Sequence, residues 1–150
     1  MPIIDEFPRI ISLPDMFEKM INKAIEFLAD NKDESAQKII DQCILSAQKN
    51  IKIKKDEPDS FFAWGMCLFL MEEYEQAILK FEKILTWEPD NEKALWQIVI
   101  ILFHYLGKTQ TAGIILREKL IKIDPDNSEY KSTLAEIDEY LSYKTNKKKK

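Results

Sequence analysis

The stretch "KILTWEPDNEKALW", Lys83 to Trp96, decides how this chain is read. Apolar residues at helical spacing lead into it and out of it. Between them stand an acid, a proline, an aspartate and an asparagine. Pro89 stops the first helix, because proline lacks an amide proton and disfavours the helical conformation in the residue before it. Asp90 or Asn91 then caps the next helix, since a short polar side chain accepts from one of the unpaired amides of a first turn. The same wording returns in "KIDPDNSEY" from Lys122, where Pro125 stands 36 residues after Pro89. A looser copy, "KKDEPDSFF", begins at Lys54. Three such signals divide the chain into successive helical hairpins and suggest a repeat.

The rest of the sequence agrees with that division. Only three glycines and six prolines occur in 150 residues, too few for the many tight turns of an all-β fold. The chain is 45% apolar and 32% charged, as in a soluble globular protein. Residues 1–13 read as an extended lead-in. A first helix follows, with Phe17, Met20, Ile21, Ala24, Ile25 and Leu28 at helical spacing, and "DNKDE" breaks it. A second carries Ala36, Ile39, Ile40, Cys43, Ile44 and Ala47 to about Lys54. The third, "FFAWGMCLFLM", is apolar nearly all round, which predicts a helix covered on several sides. The fourth carries Ala77, Ile78, Phe81, Ile84 and Leu85, and the fifth ends at Gly107, a residue suited to a left-handed turn. The sixth spans roughly Thr109 to Lys122. Asp126 with Glu129 predicts a capping box for the seventh, whose single stripe of Tyr130, Leu134, Ile137 and Leu141 suits the end of a stack. The expected layout is one domain over 14–143, with hairpins at about 14–54, 58–88 and 91–123, a capping helix at 127–143 and a disordered lysine-rich tail at 144–150.

Charge and chemistry narrow the function. Five of the 22 basic residues lie in 144–150, so the preceding residues hold 17 basic against 26 acidic ones. An acidic body disfavours nucleic acid. Cys43 and Cys67 lie in apolar helical stretches without metal-ligand spacing, so they read as buried free thiols rather than a disulfide framework. The start has acids where a secretory signal needs an apolar run, and "ALWQIVIILFHYLG" is too short to span a bilayer. A cytoplasmic protein without membrane insertion is expected. His104, the single histidine, has no nucleophile partner at a helical offset, and no phosphate-binding glycine loop occurs. The reading is of a chain without cofactor, metal or catalytic residues.

Residue by residue, the middle hairpin resembles the tetratricopeptide repeat (TPR), with the pattern W-x2-L-G-x2-Y…A-x3-F…P and a period of about 34. Phe61, Trp64, Gly65, Leu68, Ala77, Phe81 and Pro89 stand at its positions. The next unit reads Trp96, Val99, Ile100, Phe103, Ala112, Leu116 and Pro125, with Ile100 in place of the close-packing glycine and one extra residue before the proline. Both departures imply a wider or shifted helix contact. The first unit is looser: Met20, Lys23, Ala24, Phe27, Ala36 and Ile40. In all three the small-or-glycine position and the later alanine are twelve residues apart. The resemblance implies an all-α fold of about seven helices, a short right-handed solenoid of stacked antiparallel hairpins.

It also implies a function. In this family the first helix of each hairpin lines a concave groove that holds a partner segment. The matching positions here are Ile21, Ile25 and Leu28, then Phe62, Met66, Phe69 and Leu70, then Gln97, Ile101, His104 and Tyr105. They are mostly apolar, so a clamp on a partner's terminal carboxylate is not expected, and an apolar or amphipathic protein or peptide segment is. Phe62, Met66, Phe69 and Leu70 read equally well as core, and the apolar lead-in "PIIDEFPRIISL", Pro2 to Leu13, reads as a segment able to fill this groove or a neighbour's. The expected function is a non-catalytic interaction module or adaptor. The alternatives are a small TPR-type chaperone of secreted proteins and a subunit that forms a homodimer through the same apolar surface.

Overall fold

The computed structural model describes residues 14–148. The lead-in at 1–13, and with it the expectation that it fills a groove, lies outside the described residues, as do Lys149 and Lys150. The chain is all-α as expected, with seven helices and no strand among the described residues. They are α1 (Asp15–Ala29), α2 (Asp33–Ile53), α3 (Pro58–Leu70) and α4 (Tyr74–Leu85). Then come α5 (Glu92–Ile100, continued by a π turn at Ile101–Tyr105) and α6 (Thr109–Ile115, a π turn at Leu116–Leu120, then Ile121–Ile123). The last is α7 (Ser128–Lys148). Contacts gather into two compact units that divide between Trp87 and Glu88.

In the first unit α3 packs on α1, α2 and α4. That accounts for its apolar circumference: Phe61, Phe62, Ala63, Met66, Cys67, Phe69 and Leu70 are all buried. Gly65 makes the approach of α4 possible. A Cβ built there would stand 2.7 Å from Cε1 of Phe81, whose ring is fully buried in the space the missing side chain leaves. Ala77, twelve residues on, is fully buried as well.

In the second unit α6 packs on α5 and α7. Gly113, inside α6, lets Ile137 of α7 come within 3.1 Å of where its Cβ would be. Ile137 and Tyr130 are buried on the inner stripe of α7, and Arg117 of α6 pairs with Asp138 of α7. The helix continues to Lys148, past the 143 boundary and into the expected tail. Lysine is a good helix former, and its charge near a helix C-terminus is favoured by the carbonyl dipoles there.

The signals between helices work in two ways. Asn91 caps α5 by accepting from the Ala94 amide at 2.9 Å. Asn127 caps α7 in the same manner, accepting from the amides of Glu129 and Tyr130. It does so in place of the Asp126–Glu129 box expected from sequence, so the asparagine of the Pro-Asp-Asn motif is the working residue in both copies. The third copy differs. Pro58 lies inside the first turn of α3, so Ser60, the counterpart of those asparagines, falls within the helix and caps nothing.

The three hairpin turns share one construction. Each has three residues between its helices, and the middle one is left-handed: Asn31 (φ 57°), Glu72 (φ 62°) and Gly107 (φ 66°). Each lies seven residues after the small-or-glycine position of its unit and five before the conserved-offset alanine, at Ala36, Ala77 and Ala112. The first two turns close with the same bond, Lys32 N–H to Phe27 O at 2.8 Å and Glu73 N–H to Leu68 O at 2.9 Å. Such a six-residue closure is the usual device for satisfying the last helical carbonyls. The third is wider, with Leu106 N–H to Ile101 O and Lys108 N–H to Leu102 O. Its π turn follows directly on Ile100, and the one in α6 starts at Leu116, the two positions that hold Gly65 and Phe81 in the preceding hairpin. A π turn takes up one extra residue.

Candidate partner-binding site

The structure sorts the expected groove residues by what a partner can reach. Ile21, Phe62, Met66, Phe69, Leu70, Gln97 and Ile101 are buried. Phe62 is turned onto Phe81, with ring centroids 5.3 Å apart, and Phe69 onto Tyr74 at 5.6 Å. Their surface serves the α3–α4 contact. Ile25, Leu28 and Tyr105 are half-buried, and His104 is exposed beside the Phe103 ring.

Two of these residues meet in one place. Leu28, half-buried at the end of α1, and Leu70, buried but for an edge (4% exposed) at the end of α3, line a crevice of about 210 Å³ in the first unit. Ala36 and Ile40 of α2 and Met71 complete its apolar lining, and Asp33, Gln37 and Glu72 form its polar edge. The geometry comes from the repeated turn. Leu28 stands three residues before left-handed Asn31 and Leu70 two before left-handed Glu72, so each leucine lies in the last turn of its helix, beside a turn of the same build. Gln37 donates to Asp41 at 2.9 Å and approaches the Met71 sulfur at 4.0 Å, which ties α2 to the α3–α4 turn. The crevice thus has an apolar base and an acidic margin. Sequence reasoning singled out Leu28 and Leu70 but not Met71, Gln37 or Glu72. The signal for those was the shared turn register, which Glu72, a poor left-handed residue, conceals.

Cys43 on α2 and Cys67 on α3 are buried and free. The two thiols differ, the shared hydrogen bond holding Cys43 below its usual value and Cys67 above it. Burial pushes the Cys67 thiol further up. A thiol so placed stays protonated and is a poor nucleophile. No group of His, Cys, Asp and Glu suited to a metal occurs among the described residues. No helix there is long and apolar enough to cross a membrane.

No protein-family model matches the sequence, and no curated protein matches it. Solved structures do share its fold. A MamA RS-1 ArsTM double mutant aligns with a TM-score of 0.57 at 19% identity, covering 87% of this chain and 70% of that one. The Yersinia enterocolitica type III secretion translocator chaperone SycD aligns with a TM-score of 0.53 at 17% identity, covering 99% of this chain and 92% of that one. These likenesses show the fold: TPR-like helical hairpins.

Proposed function

We propose that this chain is a non-catalytic protein–protein interaction module that takes an apolar or amphipathic segment of a partner. The observation that carries the reading is the meeting of Leu28 and Leu70 in one apolar crevice with an acidic edge. Burying one large apolar side chain there is worth roughly 1.5–3 kcal/mol. Asp33 and Glu72 favour a basic residue beside it. Ile25, His104 and Tyr105, the other expected groove residues with accessible surface, are proposed as secondary contacts. Coverage of 99% of this chain by the SycD alignment favours a chaperone of exported proteins as the second reading. A cytoplasmic location fits either one.

A photo-crosslinking residue in place of Gln37, which is exposed at the crevice, tests the proposal in living cells. One in place of Glu82, exposed on α4, is the control. The expected result is a discrete crosslinked partner at position 37 that is absent at 82, and lost when Leu28→Glu is added. Equal labelling from both positions, or labelling that survives Leu28→Glu, overturns the reading.

A further inference from the structure

We propose that the second unit carries a separate docking cleft for an extended acidic peptide segment. Between the α5–α6 turn and the last turns of α7 lies a cleft of about 370 Å³. Lys108 enters it from the turn, and Lys144 and Lys148 from α7. All three are exposed, and no carboxylate is among its lining residues. Among the described residues none of the three takes part in an ion pair, although Lys144 also lies 5.8 Å from the centre of the Tyr140 ring. Gln110 and Thr111 add exposed uncharged donors.

The sign of the cleft is opposite to that of the chain around it, where 17 basic residues face 26 acidic ones before residue 144. That contrast fits a short acidic ligand confined to the cleft better than a large polyanion, which the acidic remainder repels. Spacing narrows the ligand further. Lys144 and Lys148 are one helical turn apart, about 6 Å along the axis. Carboxylates at alternate positions of an extended peptide are separated by roughly 6.6 Å. An Asp/Glu-x-Asp/Glu segment therefore meets both ammonium groups at once, leaving Lys108 for a third acid. The cleft lies apart from the Leu28–Leu70 crevice in residue content, so its test stands independently of that site.

The experiment titrates the full chain with the peptide EAEAEA by calorimetry and by amide shifts at low salt. Binding is expected, with shifts at Lys108 to Thr111 and at Lys144 to Lys148. It weakens roughly tenfold or more between 50 and 500 mM NaCl, as surface charge pairs are screened. Lys144→Glu with Lys148→Glu abolishes it without changing helical circular dichroism, since both side chains are exposed. The proposal is overturned if AAAAAA binds equally, if the double reversal leaves affinity unchanged, or if oligouridylate or phosphatidylserine vesicles bind more tightly than the peptide.

Discussion

Gly65 and Phe81 define how closely two helices approach. A Cβ on Gly65 would lie 2.7 and 2.9 Å from two ring carbons of Phe81, which is itself fully enclosed. Gly65→Ala gains about 1 kcal/mol of helix propensity but overpacks a rigid contact, which costs about 1–3 kcal/mol. The net expectation is a loss of stability in urea denaturation. Phe81→Leu alone leaves a cavity. Together the two changes are less costly than their sum, because the smaller side chain vacates the space the new methyl needs. Ile100 and Leu116 already make that exchange in the next hairpin. An additive double variant would mean that the two residues do not share this space. Ser60 predicts the opposite sign. Its hydroxyl is fully buried and without a hydrogen-bond partner among the described residues. Ser60→Ala removes an unsatisfied group and improves helix propensity, so midpoint denaturant concentration is expected to rise, by about 1 kcal/mol in stability. At this scale the sequence was legible where side-chain size alone sets the contact, as at Gly65 and Ala77. It was ambiguous at Phe62, Met66 and Phe69, because an apolar residue on an inner helix face reads the same whether core or a partner covers it.

At the scale of the element, α7 is held to its unit by chemistry that responds to pH. Tyr130 packs on Trp96 with centroids 4.9 Å apart, and its hydroxyl donates to Glu92 at 2.6 Å. Burial, then the hydrogen bond to Glu92 and the charge of that carboxylate, push the phenol well above its usual value. The unfolded phenol loses its proton near pH 10, whereas the folded one keeps it. Above that pH the unfolded state binds fewer protons, so stability falls as pH rises; below it the contribution is fully present and flat. Tyr130→Phe is expected to remove this alkaline slope. At neutral pH the same change costs about 1–2 kcal/mol, since Glu92 loses its donor. Denaturation curves of both proteins at about pH 7 and pH 11 decide the matter; parallel slopes would exclude Tyr130 as the source. The existence of α7 and its stripe could be read from sequence. Its π-turned neighbours could not, except through one extra residue before Pro125 and the isoleucine at position 100. Helical periodicity shows where apolar residues recur but does not distinguish a π turn from a continuous α-helix.

At the scale of the whole molecule, the division between Trp87 and Glu88 makes a prediction about cooperativity. Repeat proteins draw their stability from nearest-neighbour interfaces, and a terminal helix closes the last apolar face. Here α7 contributes fully buried Ile137 against Gly113, buried Tyr130 against Trp96, and the Arg117–Asp138 pair. Losing two large buried side chains removes roughly 3–6 kcal/mol of burial. That is comparable with the total stability of a small domain, about 5–15 kcal/mol. A chain ended at Asn127 is therefore expected to lose amide protection over 92–123. The helices at 15–85 should keep most of theirs, because α3 is enclosed by α1, α2 and α4 of its own unit. Hydrogen exchange read by mass spectrometry separates the outcomes. Protection retained at 15–85 while 92–123 exchanges freely means that the two compact units are distinct cooperative blocks. Simultaneous loss across both means that folding free energy is pooled over the chain, and that the units differ in packing without differing in stability.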